Sequence, residues 1–186
     1  MTEASNVELR TFTTAETVRG DLLDVYADVR SALLHLPNYA LTIFSERLDR
    51  HGAEPGFVAV LAYVDGFPVG YAYANTIEQG DRYWSRTSPA PAERYTDQPV
   101  VALKEIGVRS AWRKTGAARR IHDALLATRS EPLVTLMVNP DAGDGKVHEL
   151  YRSWGYEEIG QSRPSASSPP LSVMIRSVSW PRGRER

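Results

Sequence analysis

The chain has 186 residues, 42% of them hydrophobic and 24% charged, which suits one globular domain with a real core; its net charge of −1 argues against a nucleic-acid binder that relies on bulk positive charge. There is no cysteine, which excludes disulfides, thiolate metal centres and a cysteine nucleophile. No apolar run reaches membrane-spanning length and the first residues show no signal-peptide pattern, so the expectation is a cytoplasmic protein with neither membrane nor nucleic acid as partner.

Residues 7–12 alternate and predict a strand. Thr13 or Thr14 can cap the next helix, with Glu16 near its first turn. Leu22, Leu23, Tyr26, Val29, Leu33 and Leu34 keep helical spacing until Pro37-Asn38-Tyr39 breaks it. A second helix over residues 41–50 is expected to turn Ile43, Phe44 and Leu48 inward. Residues 57–64 and 69–75 read as a hairpin around Asp65-Gly66, and Phe67-Pro68 predicts a loop of more than two residues. Residues 79–99 are polar and Pro-rich but carry Tyr83, Trp84 and Tyr95; they read as one long loop, and such loops are often functional.

Residues 100–108 predict a strand, 115–128 a helix, 133–138 a buried strand, and 146–154 a helix ended by Gly155. Strands over 156–161 and 171–178 flank a Ser/Pro loop, and a basic tail closes the chain. The predicted order is β-α-α-β-β-β-α-β-α-β-β, a mixed α/β chain without internal repeats.

The most informative stretch is residues 105–126, where an apolar strand passes through Arg113-Lys114-Thr115-Gly116-Ala117-Ala118 into a basic amphipathic helix with Ala118, Ile121, Leu125 and Leu126 as its buried stripe. A helix start exposes unpaired N–H groups and partial positive charge, and small residues let an anion approach the backbone. The turn is not a Walker loop, because no Gly-Lys-Ser/Thr follows the glycine, and the three-glycine dinucleotide spacing is missing. A plain helix start with a packing glycine reads the same way in isolation. Downstream, a strand ends in Asn139, and Val147, Leu150, Tyr151 and Trp154 share one helical face before Gly155-Tyr156.

On these residues the chain resembles the GNAT superfamily of acyl-CoA-dependent N-acyltransferases. Its pyrophosphate signature is Arg or Gln, two residues, Gly, one residue, then Gly or Ala; Arg113, Gly116 and Ala118 fit it, after a strand that ends in Val108. Asn139, Leu150-Tyr151, Gly155 and Tyr156 fit the family's later pattern. The likeness is strong over residues 100–160 and architectural elsewhere. Ser110 stands where the family often has proline, and the loop with Asp141-Ala142-Gly143-Asp144-Gly145 is longer than usual.

The resemblance implies a GNAT-like domain over residues 1–178, a basic tail over 179–186, and a mostly antiparallel central sheet with splayed strands and about four flanking helices. It implies acetyl-CoA as cofactor, held by Ile106, Gly107, Val108, Arg113, Lys114, Thr115, Gly116, Ala117, Ala118 and Asn139. Arg119 and Arg120 add charge near the phosphates or form a solvated face. The pantetheine arm would lie as an extra strand between residues 100–108 and 133–139. The Val108 N–H would donate to the thioester oxygen, and Tyr151 stands at the family's general acid, against a reading as a core tyrosine.

Glu105, an acidic residue in an apolar strand, is the candidate base or the partner of a buried arginine. His148 is the alternative base. His122 is expected to be exposed, His35 and His51 belong to no constellation, and no spacing suggests a metal site. Tyr39, Tyr73 and Trp84 are candidate walls of an acceptor site for a small-molecule amine; ordinary core packing explains Tyr71 and Tyr73 as well. No acidic run points to polyamines or aminoglycosides. A CoA-binding module without turnover, an acetyltransferase of protein amines, and a homodimer through the apolar final strand stay open.

Overall fold

The computed structural model describes residues 6–166 and 168–179. Along these the elements are β1 (Glu8–Phe12), α1 (Ala15–Val29), α2 (Leu41–Ala53), β2 (Val58–Val64), β3 (Phe67–Ile77), α3 (Arg82–Ser85), β4 (Thr87–Ser88), α4 (Glu93–Thr96), β5 (Val100–Val108), α5 (Ala117–Ala127), β6 (Leu133–Val138), α6 (Lys146–Ser153), β7 (Glu157–Ser162) and β8 (Leu171–Ser177), with 3-10 turns at Pro37–Tyr39 and Ser110–Trp112. This is the expected mixed α/β chain. The chain falls into two compact units: residues up to Asn75 with Leu103–Thr128, and Thr76–Ala102 with the chain from Arg129 on. Strand β5 contributes residues to both.

In the first unit β1 pairs antiparallel with β2, and β2 with β3. The apolar faces of α1 and α2 supply Val18, Leu22, Val25, Tyr26, Phe44 and Leu48 to a core shared with Leu61, Tyr71 and Tyr73. Burial at this spacing, rather than capping, holds α1 in place. Thr14 sits at the N-cap but makes no side-chain cap bond; its hydroxyl meets that of Thr17 at 2.6 Å. Helix α1 stops at Val29, short of Leu33 and Leu34, although Leu34 still packs on the core. Ile43 is 41% exposed, against expectation, because the narrow inward stripe of α2 runs through Phe44 and Leu48.

The β2–β3 connection is a two-residue turn, not the longer loop expected. Asp65 (φ 51°) and Gly66 (φ 79°) take left-handed conformations, and Val64 pairs with Phe67. A register shift lets Tyr63 pair with Pro68 and Ala62 with Gly70, so the strand absorbs the proline.

In the second unit β6 pairs with β8, β8 with β7, and β7 with β4, all antiparallel. Its core gathers Ile77, Trp84, Val100, Ala102, Val173 and Ile175. The segment expected as one long loop is pinned at three places. The Asp81 carboxylate caps α3 by accepting from the Tyr83 N–H at 2.8 Å, Trp84 is buried, and Thr87 and Ser88 pair with Ser162 and Gln161. The expected basic tail from Trp180 onward lies outside the described residues.

Candidate functional site

The candidate anion-binding turn, residues 113–118, lies in the first unit. Beyond Val108 the 3-10 turn at Ser110–Trp112 leads into Arg113, which is extended, and Lys114 and Gly116 then take left-handed conformations at φ 61° and 83°. Gly116 is the N-cap of α5, so no side chain closes the helix start. The Thr115 hydroxyl braces the turn, donating to the Trp112 carbonyl at 2.6 Å and accepting from the Ala117 N–H at 3.4 Å. Among the described residues, the backbone N–H groups of Lys114, Thr115, Gly116 and Ala118 meet no acceptor, and positions 113–116 are exposed. A Cβ built on Gly116 would meet nothing within 4 Å, so the space over the turn is open. Unpaired N–H groups at a helix start can receive an anion, and the charges of Arg113 and Lys114 stand in the same turn. This donor set fits the diphosphate of a nucleotide cofactor.

The helix behind the turn differs from expectation at one residue. Ile121, Leu125 and Leu126 are buried as expected, Ala118 is half-buried, and His122 is 0% exposed rather than solvated. Its Nδ1 lies 3.2 Å from Asp123 Oδ1; position 122 shares the inner face with Leu125. Arg119 is tied to Asp123 at 3.1 Å and Arg120 donates to the Val7 carbonyl at 3.1 Å, so both are engaged within the fold.

Further back on β5, Glu105 is 11% exposed at its side chain and lies 3.3 Å from Arg47 of α2. Burial pushes its carboxyl above the usual carboxylate range, while the guanidiniums of Arg47 and Arg30 pull it partly back. Arg47 also donates to the Asn38 carbonyl at 3.2 Å. Lys104, the preceding residue, pairs with Glu54 at 3.2 Å. His51, expected to belong to no constellation, lies 3.0 Å from the Tyr73 hydroxyl through Nδ1, and its carbonyl accepts from Asn75 at 2.7 Å. Burial, then the charges of Lys104, Arg47 and Arg50, lower its pKa to about 3, so it is neutral. Gly107 and Val108 are buried and Ile106 is half-buried; Val108 offers its carbonyl to Arg113 Nε at 3.4 Å.

The second unit holds Asn139 and Tyr151. Asn139 Oδ1 accepts from the Asp141 N–H at 3.0 Å and its carbonyl from Ala142, so in this structure the residue closes its own turn. Helix α6 ends in a Schellman motif. The Tyr156 N–H bonds the Tyr151 carbonyl at 3.1 Å, the Gly155 N–H bonds the Arg152 carbonyl at 2.9 Å, and Gly155 takes φ 89°. The pattern Leu150-Tyr151-x-x-x-Gly155-Tyr156 is thus a helix stop. It fixes Tyr151, 8% exposed, edge-on to Trp154 and Tyr156 at centroid distances of 5.7 and 5.8 Å. Leu150 is 43% exposed and falls outside the stripe of Tyr151 and Trp154. His148 is bonded through Nε2 to Glu158 at 2.9 Å.

Among the candidate acceptor residues, Tyr39 is half-buried with Arg30 over its ring at 5.7 Å, Tyr73 is fully buried against Phe57 and His51, and Trp84 is buried in the second core. Arg30, Arg47 and the His51–Tyr73 bond escaped sequence reasoning. Arg47 and Glu105 are 58 positions apart, and no local spacing marks such a pair. Among the described residues no helix is long and apolar enough to cross a membrane, and no group of three or more His, Asp or Glu is placed to hold a metal ion.

No protein-family model and no curated protein matches the chain. Solved structures do. A GNAT-family protein from Desulfovibrio desulfuricans is 17% identical, with 93% of this chain and 99% of that one covered and a TM-score of 0.61. An aminoglycoside 6'-acetyltransferase of type Ii is 19% identical over 94% and 99% of the two chains, also at 0.61. The ribosomal-protein alanine N-acetyltransferase of Escherichia coli is 14% identical over 96% and 99%, again at 0.61. At such identities the likeness is one of fold, and the fold of this chain is that of the GNAT acetyltransferases.

Proposed function

We propose that the chain is an acyl-CoA-dependent N-acetyltransferase that moves an acetyl group from acetyl-CoA to a primary amine of a small molecule, by direct attack in a ternary complex. The observation that carries this reading is the open cradle of N–H groups at Lys114, Thr115, Gly116 and Ala118, with Arg113 in the same turn. Ala117, buried behind the turn, lets the helix start pack closely. Ile106, Gly107 and Val108 would border the pantetheine arm, and Asn139, which closes its own turn, is proposed as a further contact. Bound acetyl-CoA supplies an activated thioester.

The chain's residues do the rest. Glu105 takes the proton released as the amine nitrogen bonds to the acyl carbon, and its raised pKa makes it a stronger base than an ordinary carboxylate. The Val108 N–H donates to the acyl oxygen as negative charge builds there. Tyr151 gives a proton to the sulfur as the carbon–sulfur bond breaks, so amine and thioester become amide and thiol. Its role is read from the Leu-Tyr-x-x-x-Gly-aromatic pattern, whose Schellman stop engages the Tyr151 carbonyl. Tyr39, Tyr73 and Trp84 are proposed for the acceptor; Tyr39 is half-buried, and Tyr73 and Trp84 are buried each in its own core.

Calorimetry with CoA and acetyl-CoA, followed by thiol release on addition of amines, tests the reading. Heat of binding together with amine-dependent thiol release is the expected result. Absence of binding by folded protein refutes the cofactor assignment. Binding without release by any amine favours the alternative of a CoA-sensing module. Aminoglycoside and protein-alanine acceptors, named for two proteins of the same fold, belong in the same screen.

A further inference from the structure

The charges around Glu105 do not balance. One carboxylate, on β5, pairs with one guanidinium, Arg47 from α2 at 3.3 Å, while a second, Arg30 at the C-terminal end of α1, is near enough for its charge to act on Glu105 and on the buried phenols of Tyr26 and Tyr71. Arg47 is 28% exposed and is held at both ends, by Glu105 and by the Asn38 carbonyl. Arg30 is half-buried, lies over the Tyr39 ring at 5.7 Å, and makes no ion pair among the described residues. The other nearby cation, Lys104, is already matched by Glu54 at 3.2 Å. The Tyr39 backbone is fixed in turn, because its carbonyl accepts from the Tyr26 hydroxyl at 3.2 Å. All of these residues lie in the first unit.

A polycation brought to this place would meet two guanidiniums, of which Arg47 is held by two bonds, and a carboxylate already paired. An acceptor that carries its own anionic group would supply the missing charge. A guanidinium presents planar paired donors that match a carboxylate, and holding one against an aromatic face keeps those donors preorganised. We propose that the acceptor is an amine bearing a carboxylate, of the amino-acid type, with Arg30 gripping the carboxylate against Tyr39 while its amine is presented to Glu105. This rests on the acetyltransferase reading above and narrows it to one substrate class. Arg30 acts in recognition, and Arg47 positions the Glu105 carboxylate.

The test uses the full chain, acetyl-CoA and thiol detection with phenylalanine, glutamate and β-alanine, the amides of each, and spermidine. At least about a tenfold higher kcat/KM for one of the acids than for its amide is expected, equivalent to ~1.4 kcal/mol of discrimination. Arg30→Gln keeps the side-chain stem over Tyr39 and should raise KM for the acid to that of the amide, leaving CoA affinity within twofold. Arg30→Lys should restore part of the difference. Equal turnover of acid and amide, preference for spermidine, or an unchanged KM in Arg30→Gln overturns the proposal. So does a chain that binds CoA in calorimetry and turns over no acid of the panel. Failure to bind CoA at all is a different result, which removes the acetyltransferase reading beneath it.

Discussion

Helices α5 and α6 begin alike and differ in which backbone donors their turns leave unpaired. Each starts from a glycine in the left-handed region, Gly116 at φ 83° and Gly145 at φ 81°, with no side-chain cap at the N-cap residue and with a non-glycine left-handed residue shortly before it, Lys114 two positions ahead or Asp144 one position ahead. At α6 the N–H groups of Asp144, Gly145, Lys146 and Val147 are taken up by the carbonyls of Asp141, Ala142 and Gly143, so the turn satisfies itself. At α5 four N–H groups in and beside the turn meet no protein acceptor among the described residues. The charges differ too: Arg113 and Lys114 precede α5, whereas Asp141 and Asp144 precede α6. A left-handed glycine at a helix start is therefore not the signature of a phosphate site. The signature is a turn that leaves its donors open under positive charge.

The comparison breaks most sharply at the two glycines. Gly116→Glu should weaken CoA binding by at least about 100-fold in calorimetry, since it places a carboxylate over the open donors. Gly145→Glu should leave CoA affinity within twofold. Each introduces a side chain at positive φ and should cost ~1–2 kcal/mol in denaturant titration. If both variants lose CoA equally, the contrast between the turns is wrong.

The next effects concern turnover. Glu105→Gln should lower kcat by about 100-fold with CoA affinity unchanged, and should flatten the acid limb of the pH–rate profile. Arg47 holds the Glu105 carboxyl down, so Arg47→Ala should move that limb to higher pH. Tyr151→Phe should reduce kcat by about tenfold or more while the Schellman stop, which is backbone, keeps the fold. An unchanged kcat would return Tyr151 to a purely packing role.

Stability gives the smaller readouts. The folded pKa of His51 lies at about 3, below its ordinary 6.5, so its contribution is fully present above pH 6.5 and is lost as pH falls toward 3. His51→Gln should flatten the unfolding free energy across that acid window. Glu105 has the opposite sign: its raised pKa favours the fold at low pH, and that advantage disappears as pH rises through the folded value. At the far end, Gly155→Ala strains the left-handed stop of α6 by ~1 kcal/mol, a small shift in melting temperature that tests whether the helix stop tunes Tyr151.

The strand and helix pattern was legible because it is local. β5 and β6 were readable to the residue from their continuous apolar runs, and the two glycine-bearing motifs announced their turns. Legibility failed where a neighbour distant in sequence decided the outcome. His122 reads as a polar residue in a basic helix, yet its position turns it into the core. Ile43 and Leu150 read as core, yet they lie just outside narrow stripes. Residues 79–99 read as loop because single-turn helices and a two-residue strand are too short to leave a periodic trace; the β7 edge and the burial of Trp84 order them.

By itself the amino-acid sequence determined the order of the long elements, the glycine turn at 113–118 and the helix stop at 151–156, because a turn's conformation is set by residues next to one another. Only the tertiary structure decided that Arg47 faces Glu105, that His51 meets Tyr73, and that one glycine-started helix keeps its donors open while the other closes them. Side-chain pairing and the shift in a carboxyl's affinity for its proton depend on which surfaces are brought together and how much water is removed from them, and no spacing along the chain records either.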